Sequence, residues 1–295
     1  MKILKQKKYW VEHFNDEKYV EIRKRVLDSF QDLVFEEEPH KYYLHGKEMM
    51  CVSNVVHMFQ PHFDVDVMAQ QTYERNYNNE RSKYYRMTPE MIMAEWAKIS
   101  NDACSHGTER HEFAESAFYF MTNQFDRILE QFRDRLSYDE DGQPIFIAKD
   151  EKEIAAATFY EELPDSLFPI LAETKVYNDK LGYSGTFDLL MYYDATIDGK
   201  DDRYNGLCVM DWKTNRDLYK HFKDQRLLHP FESLVDMPFS IYKLQLSLYQ
   251  LCLENIGLKT IARRIMWLKP DGSYEKLALE SYTKQLDDEL TRNPI

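Results

Sequence analysis

The clearest alternation of apolar and polar positions lies in the second half of the chain. Three segments predict strands, near residues 170–177, 184–193 and 206–213. The first two are rich in β-branched and aromatic residues, and the third is a short, mostly apolar run. A helix follows them and turns four side chains inward, Leu244, Leu248, Leu251 and Cys252. Because strands are followed by a helix and then by further strands, the pattern predicts an α/β fold with a mixed central sheet.

The end of the chain completes this pattern. Strands are predicted near residues 260–269 and 273–280, joined at the turn Pro270-Asp271-Gly272, and a final helix follows them. The segment between Arg216 and Ser240 is long and irregular. A loop of that length is often functional, so we expect it to lie over a site.

The first half of the chain has mostly the helical period. Residues 1–165 are therefore predicted to form a mostly helical lobe, and residues 166–295 the core. Residues 9–32 place four apolar side chains on one stripe, Tyr19, Ile22, Val26 and Phe30. Residues 33–52 alternate around His45-Gly46-Lys47, which predicts a hairpin.

The remainder of the lobe is predicted to be helical as well. Residues 64–100 indicate two helices divided by a polar connection, the second beginning with Thr88 as N-cap and Pro89 in the first turn. Another helix is predicted from about Asn101 to Thr122. Residues 123–165 indicate a connection of helical character with a turn inside it.

Composition indicates a folded, soluble protein. The 295 residues are 43% hydrophobic and 14% aromatic, which is enough for a substantial interior. No apolar run approaches the roughly 18 residues of a membrane helix, and the first ten residues lack the apolar stretch of a signal peptide. We therefore expect an intracellular, cytoplasmic protein without membrane contact.

The cysteines are scattered along the chain, at Cys51, Cys104, Cys208 and Cys252. They include no C-x-x-C pair, so neither a zinc knuckle nor a disulfide framework is indicated.

The net charge of −13 disfavours nonspecific attraction to a polyanion. The cations are unevenly distributed, however, and one group follows the third strand: Lys213, Arg216, Lys220, Lys223 and Arg226. These residues could guide a nucleic acid that the overall field would repel. A second group, Lys2, Lys5, Lys7 and Lys8, is also explained as a solvated face.

Tyrosines alternate with cations in residues 73–86. Tyr84 and Tyr85 are the pair nearest to the following helix, and both have basic neighbours. Such an arrangement can stack on and neutralise a single-stranded nucleic acid. A half-buried junction between two helices explains the same residues, and the sequence does not separate the two interpretations.

Two acids and a lysine carry the chemistry of the core. Side chains alternate along a strand, so Asp211 and Lys213 project from one face while Trp212 packs on the other. Asp188 lies beside them if its strand pairs with theirs, which the turn-rich segment between them allows. Carboxylate oxygens are ligands for Mg²⁺ or Mn²⁺, and a nearby lysine can orient water or offset charge on a phosphate. The alternative is that both aspartates merely cap strands.

Five motifs occur in an order that resembles a known family. They are Gly107-Thr108-Glu109-Arg110-His111, Glu173, Gly185 to Asp188, Asp211 to Lys213, and Gln245 to Tyr249. Together they resemble the PD-(D/E)XK nuclease superfamily, in particular its RecB-like branch of phage and mitochondrial single-strand DNA exonucleases. The resemblance implies the αβββαβ nuclease core. It covers about half of the chain.

The resemblance also implies roles for residues of this sequence. The metal ligands it implies are His111, Asp188, Asp211 and the backbone carbonyl of Trp212. The catalytic group it implies comprises Asp188, Asp211, Lys213, Glu173, Gln245 and Tyr249. We expect His111 to tilt the metal preference toward Mn²⁺, because imidazole is a poor partner for Mg²⁺. We expect Gln245 and Tyr249 to act through hydrogen bonds, although Tyr249 could also merely pack.

Other parts of the family pattern are only partly present. Relatives place a Ser-Val-Thr sequence after the hairpin, and here Val52-Ser53-Asn54-Val55 departs from it at the threonine. The candidate substrate-binding residues are Ser53, Tyr84, Tyr85, Arg216 and Lys220. Some relatives hold an iron–sulfur cluster on one N-terminal and three clustered C-terminal cysteines. This chain does not have that spacing, so we predict no iron–sulfur cluster.

These observations predict a Mg²⁺- or Mn²⁺-dependent DNA exonuclease that acts on single-stranded ends in replication, recombination or repair. Two alternatives are kept. One is a structure-specific or nicking endonuclease on the same fold, which would cut circular DNA. The other is a catalytically inactive DNA-binding or interaction module, against which the presence of both aspartates and the lysine speaks.

Overall fold

In the computed structural model, the backbone is described for residues 1–295 and the side chains for residues 1–102 and 107–295. The strands are β1 (Lys2–Lys5), β2 (Leu33–Glu36), β3 (Lys41–Leu44), β4 (Lys47–Cys51), β5 (Leu136–Tyr138), β6 (Pro144–Ala148), β7 (Leu167–Asn178), β8 (Tyr183–Tyr193), β9 (Gly206–Lys213), β10 (Thr260–Leu268) and β11 (Tyr274–Ala278). The α-helices are α1 (Lys8–His13), α2 (Glu17–Phe30), α3 (Val52–His57), α4 (Val65–Asn76), α5 (Pro89–Met121), α6 (Glu151–Glu162), α7 (Pro238–Asn255) and α8 (Thr283–Arg292).

The central sheet is mixed. β7 and β9 both pair antiparallel with β8, β10 pairs parallel with β9, and β11 pairs antiparallel with β10. The parallel pair needs a long connection, which is provided by residues 214–237 and α7. The predicted α/β fold with a mixed central sheet flanked by helices is confirmed.

β8 shares one of its edges between two strands. Its second half pairs with β9, ending at Leu189↔Met210, and its first two residues pair in parallel with Met50 and Cys51 of β4. β7 occupies the other edge along the whole of β8. The backbone of residues 185–188 therefore lies at a gap between the β4 and β9 ladders, where no strand pairs with it on that edge.

The predicted hairpin forms as part of a three-stranded meander. β3 and β4 are joined at His45 and Gly46, which have φ of 50° and 81°. Such a turn favours a glycine at its second position. β2 pairs with β3 on the far side, and through β4 the meander extends the central sheet.

Two of the predicted helices are one. α5 runs without interruption from Pro89 to Met121, with Thr88 accepting a hydrogen bond from the backbone N–H of Met91 at 3.4 Å. The N-cap is confirmed, but the predicted division near residue 100 is wrong. The stretch across it is polar and contains Gly107, yet it holds no proline, and one glycine costs a helix only about 1 kcal/mol.

The predicted helical connection over residues 123–165 is wrong in its first part. After α5 come two 3₁₀ turns, Phe125–Arg127 and Glu130–Arg135, and then β5 and β6, which form a separate sheet with β1. Only α6 at the end is helical. It begins with a capping box in which Asp150 and Glu153 satisfy each other's backbone N–H groups.

One buried apolar cluster includes side chains from both sides of residue 165. Trp10 and Phe113 belong to it, and so do Phe159, Phe187 and Trp212. The division into a lobe and a core at residue 165 stays a prediction. Where side chains are described, no helix is both long and apolar enough to cross a bilayer.

Candidate metal centre

The end of the β8–β9 ladder positions both aspartates. Just beyond the pair Leu189↔Met210 the two strands diverge, and the backbone N–H of Trp212 donates to Asp188 Oδ2 at 2.7 Å. The Asp188 side chain thus takes the place of a strand partner. Asp188 and Asp211 are only 8% and 2% exposed. The predicted pairing of the two strands is confirmed, and Trp212 itself packs inward against Phe159.

His111 reaches this point from α5. Its Nδ1 lies 3.2 Å from Asp188 Oδ2, although 77 positions separate the two residues in sequence. The expectation that the ring faces the acids is met. A glycine on a helix can permit a close approach to a neighbouring element, but a Cβ at Gly107 would meet only Thr214 Oγ1 within 4 Å among the described atoms, at an ordinary 3.6 Å. The helix position does not require a glycine.

Glu173 completes a group of three candidate ligands. Donor atoms of His111, Glu173 and Asp188 all lie within 4.8 Å of one another. Glu173 has φ of 42° in the middle of β7, a conformation that costs a non-glycine residue about 1–3 kcal/mol. The surrounding contacts must offset this backbone strain. The residue that carries the strain is the one whose carboxylate lies beside the other two candidate ligands.

Asp211 lies outside that group and is paired with Lys213. Asp211 Oδ2 is 2.6 Å from Lys213 Nζ, and it receives no hydrogen bond of good geometry among the described residues. The lysine also lies over the ring of Tyr242, 4.3 Å from its centre. The hydroxyl of Tyr242 donates to Asn215 Oδ1 at 2.8 Å. Lys213 is therefore fixed from two sides.

The acids influence one another's protonation. Burial raises the pKa of Glu173 well above its ordinary value, and the charges of Asp188, Glu115 and Asp211 add to the increase. Burial and the charge of Asp188 likewise raise the pKa of Asp211, against the opposing ammonium of Lys213. Burial would also raise the pKa of Asp188, but the facing His111 ring and its hydrogen bonds hold it below its ordinary value. The centre therefore has more negative charge than its own cations neutralise.

The two cations have raised pKa values. Burial lowers the pKa of Lys213, but the adjacent Asp211 carboxylate outweighs this effect and the net pKa lies above the ordinary value. Burial similarly opposes the protonation of His111, and the contact with Asp188 raises its pKa overall. Lys213 is accordingly a charged ammonium at neutral pH.

Gln245 and Tyr249 lie one turn apart on α7. Gln245 Nε2 donates to the Tyr249 hydroxyl at 3.4 Å. Tyr249 is buried against Gly185, where an added Cβ would lie 3.0 Å from its Cε1 atom. Tyr249 therefore both packs and offers its hydroxyl to Gln245. Among the described residues, neither Gln245 nor Tyr249 forms a hydrogen bond with Lys213.

A cavity of about 540 Å³ adjoins Glu173, Gln245 and Tyr249. Ser53 lines it, in agreement with its expected place near the site, although its hydroxyl donates to Cys51 Sγ at 3.2 Å. Lys175 also lines it and was not predicted. The strand period could have identified Lys175, because it lies two residues after Glu173.

Glu115 and Tyr242 were also not predicted as site residues. Glu115 lies one helical turn after His111 on α5, lines the same cavity and accepts a hydrogen bond from the Tyr119 hydroxyl at 2.8 Å. Burial raises the pKa of Glu115. Tyr242 lies three residues before Gln245, so the helical period places it on the same face of α7. Both positions were therefore accessible from sequence spacing.

The other candidate substrate residues lie in different surroundings. Arg216 is exposed shortly after β9, and Lys220 lines a second cavity, of about 780 Å³, that reaches Tyr242. Tyr84 is half-buried and accepts a hydrogen bond from Trp96 Nε1 at 2.9 Å, while the Arg86 guanidinium lies 5.3 Å from the ring centre of Tyr85. These contacts favour a packing role for Tyr84 at the junction of α4 and α5.

Three of the cysteines are described with free thiols. Cys51 is half-buried, whereas burial raises the pKa of Cys208 to about 11 and that of Cys252 to about 12. The side chain of Cys104 lies outside the described residues. The expected absence of an iron–sulfur cluster stays a prediction.

Neither a scan against protein-family models nor a search of curated proteins found a match for the chain.

Proposed function

We propose that the protein is a divalent-metal-dependent DNA exonuclease that hydrolyses phosphodiester bonds at single-stranded ends. The observation that carries the proposal is the convergence of His111, Glu173 and Asp188 within 4.8 Å, beside the ion pair of Asp211 and Lys213 on the next strand. The order α6, β7, β8, β9, α7, β10 supports it, because it follows the αβββαβ order of the nuclease core that the motifs resemble.

The donor set suits a divalent cation. Carboxylate oxygens and one imidazole nitrogen are ligands for Mn²⁺, and the oxygens alone are ligands for Mg²⁺. The buried Asp211 Oδ2 lacks a well-aligned hydrogen-bond donor, and the raised pKa values of Glu173 and Asp211 reflect uncompensated negative charge. A cation held by His111, Glu173 and Asp188, with Asp211 beside them as a further candidate ligand, would relieve both features.

When bound, the cation would supply Lewis-acid activation of water and of the phosphate. The residues of the chain divide the remaining tasks. Lys213 is paired with Asp211 and its pKa is raised, so we assign it the stabilisation of negative charge on the phosphate. Asp188 fixes the His111 ring through Nδ1. Gln245 lines the cavity beside the centre and donates to the hydroxyl of Tyr249.

The test uses end-labelled linear and circular single-stranded DNA with Mg²⁺, Mn²⁺ or EDTA. We expect the linear DNA to be shortened from its end with either metal, and the circular DNA to stay intact. EDTA should stop the reaction. Cleavage of the circle would instead identify the nicking or structure-specific endonuclease, and DNA binding without hydrolysis in any metal would identify the inactive module.

Two substitutions test the assignment of the centre. Asp211→Asn removes a candidate ligand and Lys213→Ala removes the cation at the phosphate, so each should lower the turnover at least about 100-fold. Asp28→Asn and Lys276→Ala, at exposed positions on α2 and β11, serve as matched controls and should retain full turnover. Substantial activity in either site variant, with normal circular dichroism, would show that the centre is misplaced.

A further inference from the structure

The two cavities lie along the same pair of helices. On α7, Pro238 and Tyr242 line the larger cavity, while Gln245 and Tyr249 line the smaller one. These positions are three or four residues apart, so they form one stripe of the helix. On α3, Ser53 lines the smaller cavity, and His57, one turn later, lines the larger one. We call the larger cavity the α3–α7 groove. It leads along both helices toward the metal centre.

Tyr242 connects the groove to the chemistry. Its ring lines the groove and also lies under Lys213 Nζ, 4.3 Å from the ring centre. A chain that occupies the groove therefore passes the ammonium that we assign to the phosphate. The groove volume of about 780 Å³ is in the range that holds two or more ring-sized groups.

The groove presents aromatic faces to solvent. Phe63, at its rim before α4, is 62% exposed, and Phe222, in the segment between β9 and α7, is 50% exposed. Both are far more exposed than the aromatic residues of the core, and both line the same cavity. Exposed aromatic faces beside a groove are the groups on which unpaired bases stack.

The groove combines one lysine with two acids, so its charge alone does not attract a polyanion. Its two acids are engaged within the protein, because Asp64 accepts from the backbone N–H of Val67 at 3.0 Å and Asp236 accepts from Gln60 Nε2 at 2.7 Å. Lys220 is exposed and supplies the cation. Histidine rings line the groove as well, His57, His62 and His221. A purely apolar peptide would form no hydrogen bonds or ion pairs with these polar groups.

The groove is preformed. The backbone N–H of Leu228 donates to the carbonyl of Phe59 at 2.7 Å, and the rings of Phe59 and Phe231 lie 4.8 Å apart. Arg226 and Val235 form a bridge across the same segment. These contacts tie residues 226–235 to the end of α3. The wall that carries Lys220 and Phe222 is held on either side of them, because the N–H of Phe239 donates to the carbonyl of Leu218 at 2.9 Å and that of Gln225 to the carbonyl of Phe222 at 3.0 Å.

We propose that the α3–α7 groove binds a single-stranded polynucleotide by stacking its bases on Phe63 and Phe222, with Lys220 at the phosphates. The strand then passes Tyr242 to reach Lys213. The placement of its end at the metal centre rests on the proposed function, but binding in the groove does not require hydrolysis. Paired bases have their faces covered, so the groove selects single strands over duplex.

The test measures binding without metal. Fluorescence anisotropy in EDTA compares a labelled oligo-dT with an abasic oligonucleotide of the same length. Phe63→Ala and Phe222→Ala should each weaken binding of oligo-dT about five- to 100-fold and leave binding of the abasic strand nearly unchanged, because only the base stacks on the ring. Tyr138→Ala and Tyr204→Ala remove aromatic rings that are 61% and 52% exposed elsewhere, and should change neither affinity.

The outcomes separate this inference from the proposed function. Equal losses on both oligonucleotides, no loss in either phenylalanine variant, or no DNA binding at all would overturn the groove assignment and indicate another occupant, such as a protein segment. Hydrolysis of linear DNA by the same preparations, measured separately with Mn²⁺, would still support the metal centre. Base-dependent binding without hydrolysis in any metal would support the groove and overturn the nuclease.

Discussion

At the scale of single residues, the centre is a set of buried charges that balance only in part. Glu173 lies among Asp188, Asp211 and Glu115, and burial together with these like charges raises its pKa. The nearby cations, Lys213 and His111, are already paired with the two aspartates. Without a metal, ionised Glu173 is therefore the least compensated group of the centre.

Glu173→Gln should stabilise the metal-free protein at neutral pH. An unfolded glutamate titrates near its ordinary value of 4.5, whereas the folded pKa lies higher, so the folded state binds more protons above that pH. Stability is thus lost as the pH rises from 4.5 toward the folded pKa, and the variant avoids this loss. In EDTA at pH 8 we expect a gain of about 1 kcal/mol in the free energy of unfolding.

Thermal unfolding from pH 5 to pH 8 measures this difference. The two proteins should have similar stability at the acid end and diverge as the pH rises. Mn²⁺ should stabilise the wild type more than the variant, because the variant has lost a candidate ligand. A variant that is less stable than the wild type at pH 8 in EDTA would show that the charge of Glu173 is compensated within the folded protein.

His111→Ala should change the choice of metal. Imidazole binds Mn²⁺ better than Mg²⁺, so its loss should raise the Mn²⁺ concentration for half-maximal activity more than the Mg²⁺ concentration, by about tenfold or more. His13→Ala, a histidine variant on α1, is the control. Metal titrations of activity, repeated as shifts in unfolding temperature, provide the measurement. Identical curves for the variant and the wild type would refute ligation by His111.

Sequence spacing located most of these residues but not their backbone geometry. The strand period and the order of motifs placed Asp188, Asp211 and Lys213 together, and the structure agrees. The turn of the backbone at Glu173 could not be foreseen, because a positive φ in a strand is imposed by tertiary contacts and has no counterpart in the apolar pattern. The pairing of Lys213 with Tyr242 depends on how α7 lies on the sheet, which is also a tertiary property.

At the scale of elements, the shared edge of β8 creates the site. β4 and β9 each pair with part of that edge, and the gap between them admits Tyr249 from α7 next to Gly185. A side chain at position 185 would meet Tyr249 Cε1 at 3.0 Å and Val52 Cγ2 at 3.1 Å. This glycine is required by packing, whereas Gly107 on α5 is not.

The two glycines therefore predict opposite effects on stability. Gly185→Ala should destabilise by about 1–3 kcal/mol, because it overpacks the contact of β8 with α3 and α7. Gly107→Ala should be neutral or stabilise by up to about 1 kcal/mol, since the added Cβ has room and alanine favours the helix. Chemical denaturation of both variants measures the effect. Destabilisation by Gly107→Ala of the same size would mean that α5 packs more tightly than its described contacts indicate.

Long and strongly patterned elements were predictable, and short ones were not. Strands β7 to β11 and helix α7 follow the alternation of the sequence to within a few residues. β1, β5 and β6 have three to five residues each and pair only with one another, so no periodic signal marks them. Residues 130–135 have a helical composition, but the 3₁₀ turn there leads directly into β5, and tertiary pairing overrides propensity.

At the scale of the whole molecule, the net charge of −13 opposes binding to DNA, and the nearby cations are single residues: Lys213 at the centre, Arg216 after β9 and Lys220 in the groove. The long-range field reduces the rate of encounter and weakens nonspecific contacts with duplex. The local cations act at contact distance, where screening is small. If the groove binds a single strand as proposed, stacking contributes more than charge to the affinity.

The salt dependence of binding should therefore be shallow. A cation that neutralises a phosphate of a single strand contributes about −0.7 to the slope of log affinity against log salt. With Lys213, Arg216 and Lys220 in contact, we expect a slope of about −2 for oligo-dT in EDTA. Lys220→Ala should make the slope less negative by about 0.7, while Lys276→Ala on β11 should leave it unchanged. A slope steeper than about −4, or one that Lys220→Ala does not alter, would show that the strand follows a more basic path elsewhere on the surface.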